Sequence, residues 1–148
     1  MSYLVDTCIL ARRVARSDAL QAAATEAVDA LLRSGEEVFI TPRVVMEYRA
    51  VATRPVSSNG LGLTAEQIRT ETDLIEEALG MLPDRPDVHP VWRELVDEYG
   101  VMGRQVFDAR LVAVMVVHGV ENLLTLNASH FARFREITVR TPGDLGMG

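Results

Sequence analysis

The chain has 148 residues, 48% hydrophobic and 24% charged, which is the profile of one soluble domain of ordinary size. A net charge of −6 argues against a protein that coats nucleic acid by bulk attraction, and the longest apolar run, Leu111 to Val117, is too short to span a membrane. No secretory-signal layout opens the chain and Cys8 is its one cysteine, so no internal disulfide can form and a reducing cytoplasm is the expected setting.

All basic residues are arginine. A GC-rich coding sequence accounts for that bias, but any mechanism that requires a lysine is excluded. The opening Ser2 to Val5 reads as a short buried strand, and Asp6-Thr7-Cys8 follows at its carboxyl end before a helical pattern. Residues 18 to 34 read as an Ala-rich helix capped by Asp18, with Leu20, Ala24, Val28, Leu31 and Leu32 at helical spacing and Gly35 at its end. Val38 to Ile40 is a second strand. Thr41 and Pro42 then open a helix as N-cap and first residue. Val56 to Leu63 is a loop, and Thr64 to Gln67 is a capping box that starts a helix running to about Leu79. A short third strand is expected within Gly80 to Asp84, a helix over Pro90 to Tyr99, a turn over Gly100 to Gly103, and an apolar helix over Arg104 to His118. Strands are expected at Asn122 to Leu126 and Ile137 to Arg140, with no element after Thr141. Tyr3 and the Met and Phe residues read as core. Alternation of this kind predicts a single-domain, three-layer α/β/α fold over residues 1–148 with a mainly parallel central sheet.

In such sheets ligands bind beyond the carboxyl ends of the strands, which makes Asp6 the first candidate site residue. Two further acids share the apolar stripes of their helices: Glu47 with Val44, Tyr48 and Val51, and Asp108 with Leu111, Val112 and Met115. Acids so placed are costly unless paired, protonated or bound to a cation. Three that converge repel one another, and Mg²⁺ or Mn²⁺ suits an all-oxygen set. For each acid alone, a helix cap or an arginine pair is the competing explanation. Asp84 and Asp87 read as turn acids. His118 reads as a helix-end histidine, His130 as a solvated loop histidine and Cys8 as a packed thiol.

Val5-Asp6-Thr7 resembles the opening of PIN-domain proteins. Pro42 to Tyr48, Ala52 to Pro55 and Asn59 to Leu63 resemble a VapC-like toxin subgroup of that family. Phe107 to Ala113, Leu124 to Asn127 and Phe131 to Phe134 extend the resemblance across nearly the whole chain. It implies a metal-dependent ribonuclease in which Asp6, Glu47 and Asp108 surround Mg²⁺ or Mn²⁺. It also implies a toxin of a toxin–antitoxin pair, dimeric and silenced by a small antitoxin. The family often carries a fourth acid where Asn127 stands; an asparagine can ligate through oxygen or hold a water but brings no charge.

The reaction so implied is RNA phosphodiester hydrolysis, with a metal-activated water and a carboxylate taking its proton. Thr7 is a candidate to hold a ligand or water, and Arg104 or Arg110 to contact a phosphate oxygen, each arginine having a structural ion pair as its alternative. Haloacid-dehalogenase-type phosphatases and response-regulator receivers also place an aspartate after the first strand. Both rely on a lysine, and the former needs an acid where Cys8 stands. A PIN-like module that binds RNA or protein without cutting is the remaining alternative.

Overall fold

The computed structural model describes residues 1–14 and 19–146. Five strands, β1 (Ser2–Val5), β2 (Glu37–Ile40), β3 (Gly80–Met81), β4 (Asn122–Leu124) and β5 (Thr138–Arg140), form one sheet of order β3-β2-β1-β4-β5. Every neighbouring pair is parallel. Six helices accompany them: α1 (Thr7–Val14), α2 (Ala19–Arg33), α3 (Pro42–Thr53), α4 (Ala65–Ala78), α5 (Val88–Tyr99) and α6 (Gln105–His118).

The pleat sorts the strand residues onto two faces. Tyr3 and Val5 join Val38, Ile40 and Leu124 in a core completed by α1 to α4, while Leu4 and Leu123 join a second core completed by α5 and α6. This is the three-layer α/β/α arrangement the alternation predicts. The helix α6 is sandwiched between the sheet and α5, which explains its almost uniformly apolar body.

Local chemistry marks the helix starts and stops as expected. The Thr41 hydroxyl accepts from the Val44 N–H at 3.1 Å, Pro42 begins α3, and Thr64 and Gln67 form the reciprocal capping box of α4. Gly100 and Gly119 end α5 and α6 in the left-handed region, where an L side chain is strained. The proposed cap Asp18 lies outside the described residues.

Other expectations need correction. The third strand is only two residues long: Leu82 still donates to the Ile40 carbonyl at 2.8 Å, but Pro83 has no N–H to continue the ladder. Helix α5 starts at Val88, because Pro90 is tolerated in a first turn whose N–H groups have no helical acceptor. Single 3-10 turns occupy Val56–Ser58 in the loop and Gly143–Leu145 in the tail. Tyr3, Met115, Phe131 and Phe134 are core, but Met46, Met81, Met102 and Phe107 are exposed. No helix among the described residues is long and apolar enough to cross a membrane.

The strand order decides where a site can form. After β3 the chain returns through α5 and α6 to the other side of β1, so the winding direction reverses between β1 and β4. A crevice opens at that reversal, beyond the carboxyl ends of both strands. Asp6 and Thr125 are the residues that step off those two ends.

Candidate active site

Asp6 is anchored from three directions. Its N–H donates to the Leu124 carbonyl at 3.0 Å, extending the β1–β4 pairing by one bond. Its Oδ1 accepts from the Thr7 N–H at 2.8 Å, and its Oδ2 accepts from the Thr125 hydroxyl at 2.7 Å. Cys8 Sγ stands 3.5 Å from the same Oδ2 and accepts from the Leu126 N–H at 3.3 Å. Burial raises the Asp6 pKa above its usual value, against the lowering effect of these hydrogen bonds, and the charge of Glu47 raises it further. The Cys8 thiol is pushed up to about 11, by burial first and then by Asp6. It is packed and protonated, as its sequence context suggests.

Glu47 reaches the crevice from α3. Its Oε2 accepts from the Thr7 hydroxyl at 3.0 Å and its Oε1 from Arg43 Nε, one helical turn earlier, at 2.8 Å. The side chain is 44% exposed, so it stands on the rim of the crevice rather than in the apolar stripe that its spacing suggests. Asp108, in the first turn of α6, is 30% exposed and points to the same space. Its pKa is raised by burial and by the charges of Asp6 and Glu47, while His130 and Arg104 oppose the rise. His130 Nδ1 lies 3.8 Å from the Asp108 carboxylate.

Asp6, Glu47 and Asp108 thus line one cavity of about 480 Å³ together with Thr7, Asn127 and His130. As placed, no three His, Cys, Asp or Glu side chains among the described residues are grouped closely enough to hold one metal ion. Both oxygens of Glu47 are engaged, so an ion would compete with Arg43 for it. The donor chemistry nonetheless fits a hard cation. The available ligands are carboxylate oxygens, and a positive charge would offset both the burial that chiefly raises Asp6 and Asp108 and the smaller repulsion among the acids.

Thr7 lies at the heart of this arrangement, tying Asp6 to Glu47 through backbone and side chain. Arg104 borders the wider mouth of the crevice beside Asp108 and His130. Arg110 borders a narrow branch containing all three acids, while its Nη2 donates to Asp84 at 3.3 Å. Asn127 is exposed; its N–H donates to the Thr125 hydroxyl at 3.0 Å and its side chain lines the cavity.

Sequence reading misses three contributors. Thr125 is fully buried and orients Asp6, yet only the β1–β4 register brings it there. His130 follows Asn127 through a single 3-10 turn, Ala128–His130; its side chain is 49% exposed, as expected of a solvated loop histidine, yet it borders the cavity. Arg43 is one helical turn from Glu47, a spacing at which an ion pair is legible in principle.

A PIN domain model matches residues 3–137. No functionally curated protein matches the sequence. Solved structures share the fold. The chain is similar to the VapBC2 structure from Rickettsia felis bound to a promoter DNA fragment, with 16% identity, a TM-score of 0.70, and coverage of 95% of this chain and 98% of that one. It is similar to a toxin–antitoxin complex from Klebsiella pneumoniae, with 21% identity, a TM-score of 0.64, and coverage of 95% and 97%. It is also similar to VapC20 from Mycobacterium tuberculosis, a sarcin–ricin loop cleaving toxin, with 20% identity, a TM-score of 0.65, and coverage of 91% and 98%. With the matched model running from the first strand to the edge of the last, and the same fold in these structures, the chain belongs to the PIN domain family.

Proposed function

We propose that this protein is a Mg²⁺- or Mn²⁺-dependent endoribonuclease, the toxin of a type II toxin–antitoxin pair. In this reading it is a single PIN-like domain over residues 1–148, a cytoplasmic homodimer silenced by a small antitoxin. The observation that carries the reading is the meeting of Asp6, Glu47 and Asp108, from three separate elements, on one cavity at the reversal point of the sheet. Support for the substrate and partner comes from the structures of the same fold: one is a toxin–antitoxin complex, and another is named for cleaving the sarcin–ricin loop.

The division of labour follows from the contacts. Asp6, held by Thr7 and Thr125, presents a carboxylate whose direction is set before any ligand arrives. Glu47 and Asp108 would complete the metal-holding set, with Asn127 at its edge as a neutral oxygen donor. A bound divalent cation supplies an activated water and polarises the scissile phosphate. One of the carboxylates lining the cavity, with His130 Nδ1 3.8 Å from that of Asp108, would accept the proton of the attacking nucleophile. Arg104 at the mouth, and Arg110 once freed from Asp84, provide guanidinium contacts for phosphate oxygens.

A second reading, a PIN-like module that binds RNA or protein without cutting it, is favoured by the absence of a ready metal-holding group among the described residues and by the neutral Asn127. Cleavage of single-stranded and structured RNA with Mg²⁺ or Mn²⁺ separates the two. Wild type is expected to cut and Asp6→Asn to be inactive. Equal cleavage by both proteins removes Asp6 from the chemistry, and no cleavage by wild type with either ion leaves the binding module.

A further inference from the structure

A second cavity of about 460 Å³ lies on the far side of Arg43 from the acids. Its wall holds three guanidinium groups, Arg43, Arg85 and Arg110, and three rings, His89, Trp92 and Phe107, with no carboxylate among the lining residues. Each of the three arginines is paired with a carboxylate that does not line the cavity, Arg43 with Glu47, Arg85 with Asp87 and Arg110 with Asp84. Arg43, Phe107 and Arg110 also line the narrow branch that contains Asp6, Glu47 and Asp108, so the two spaces adjoin.

Phe107 and His89 are exposed, while Trp92 is half-buried and packs one side against the second core. Phe107 is 52% exposed, and the Arg43 guanidinium carbon lies 4.7 Å from its ring centroid. The Trp92 indole N–H is satisfied by the Val106 carbonyl at 2.7 Å, which orients the ring without a ligand. His89 sits at a tilt beside it, with centroids 5.6 Å apart. Arg110 makes a single contact with Asp84, at 3.3 Å, whereas Arg85 holds Asp87 through two hydrogen bonds, at 3.1 and 2.8 Å. Arg85 pairs with Asp87 and Arg110 with Asp84 at partly exposed positions, and pairs of that kind contribute about 0–1 kcal/mol. A phosphodiester can replace Asp84 on Arg110 at little cost, and Asp87 on Arg85 in exchange for an equally bidentate contact.

We propose that this cavity is a nucleotide subsite, in which a base next to the scissile phosphate stacks on Phe107 and Trp92 while Arg85 and Arg110 contact the flanking phosphates. The inference takes its ligand class from the ribonuclease reading. Aromatic faces interleaved with guanidinium groups are the chemistry of single-strand recognition. An acidic, apolar protein segment could also use the arginines, but it has no need of a track leading to the three acids. One nucleotide fits a pocket of this size.

Trp92 is the one tryptophan of the chain and lines this cavity, so tryptophan fluorescence has a single source beside the proposed subsite. The assay titrates short single-stranded RNA into the full chain in EDTA, where cleavage cannot occur. A matched strand carrying an abasic residue, and an acidic apolar peptide, serve as comparison probes. RNA is expected to quench Trp92. Phe107→Ala is expected to weaken binding about 5-fold or more, the scale of losing one stacked base, and Phe107→Tyr to restore it. The abasic strand should lose the Phe107 dependence. The exposure of Phe107 makes misfolding of the alanine variant a poor explanation, and the tyrosine rescue checks for it.

Unchanged RNA affinity in Phe107→Ala, or a Trp92 signal that answers the peptide but not RNA, overturns the proposal. A parallel cleavage assay keeps the two readings apart. Cleavage by wild type with no Phe107 dependence of binding sinks the subsite alone. Phe107-dependent binding without cleavage sinks the nuclease alone and upholds the subsite.

Discussion

Thr125 offers the sharpest test of how the crevice is built. Its side chain has no exposure, its hydroxyl donates to Asp6 Oδ2 at 2.7 Å, and it accepts from the Asn127 N–H at 3.0 Å. Thr125→Val keeps the shape and removes the hydroxyl. A hydrogen bond to a charged group contributes about 1.5–3 kcal/mol, and an orphaned donor adds to the loss unless water reaches it. The expected cost is therefore about 2–4 kcal/mol at neutral pH. Thr125→Ser keeps the hydroxyl and loses one buried methyl, which costs about 1 kcal/mol. Urea denaturation of the three proteins measures this directly, provided the m-value is unchanged. The pH dependence has a definite sign. The Thr125 bond lowers the Asp6 pKa against the larger effect of burial, so its contribution is present while Asp6 is ionised. The gap between wild type and Thr125→Val should shrink as pH falls through the folded pKa of Asp6, which lies above 3.8. A valine variant within about 0.5 kcal/mol of wild type, or a serine variant as damaging as valine, would refute the role assigned to this hydroxyl.

The remaining expectations concern neighbouring parts of the site. Asp6→Asn should be more stable than wild type at neutral pH, because burial and Glu47 penalise the ionised carboxylate. A carboxylate with a raised folded pKa gives its full stability below the unfolded value near 3.8 and loses it as pH rises, so the advantage of Asn should vanish in acid melts. Cys8, with its thiol near 11, should react slowly with iodoacetamide at pH 8 in the native protein and rapidly in denaturant; fast native alkylation would contradict its packing against Asp6 and Thr125. Gly60→Ala should cost about 1–3 kcal/mol in chemical denaturation and impair RNA cleavage, since a Cβ there collides with the Arg54 backbone carbonyl and Gly60 lines the cavity. Gly143→Ala, whose Cβ would meet only the Thr141 hydroxyl at 3.6 Å, is the matched control and should be near neutral.

Most elements were legible because the signals that specify them are local. Thr41-Pro42, the Thr64–Gln67 box and the terminal Gly100 and Gly119 act within one helical turn, and each marks a boundary in the structure close to where it is expected. The apolar period was less reliable at the edges of the crevice. Val44 and Tyr48 are buried, but Glu47 between them stands on the rim, because α3 turns this flank toward open space and Arg43 rather than toward the sheet. Phe107 misleads for the same reason: it is apolar, yet it lies where α6 emerges from the core beside the second cavity.

What the sequence by itself determined is the alternation of strands and helices, the acid at the end of the first strand, and the absence of any lysine or disulfide for chemistry or stability. Those are properties of short segments and of composition. Only the tertiary structure decided that β4 lies beside β1, that Thr125 therefore meets Asp6 across 119 positions, and that the Thr7 hydroxyl reaches Glu47. Strand order and cross-chain hydrogen bonds arise from how two cores close on the faces of one sheet, and no local pattern of residues encodes that closure.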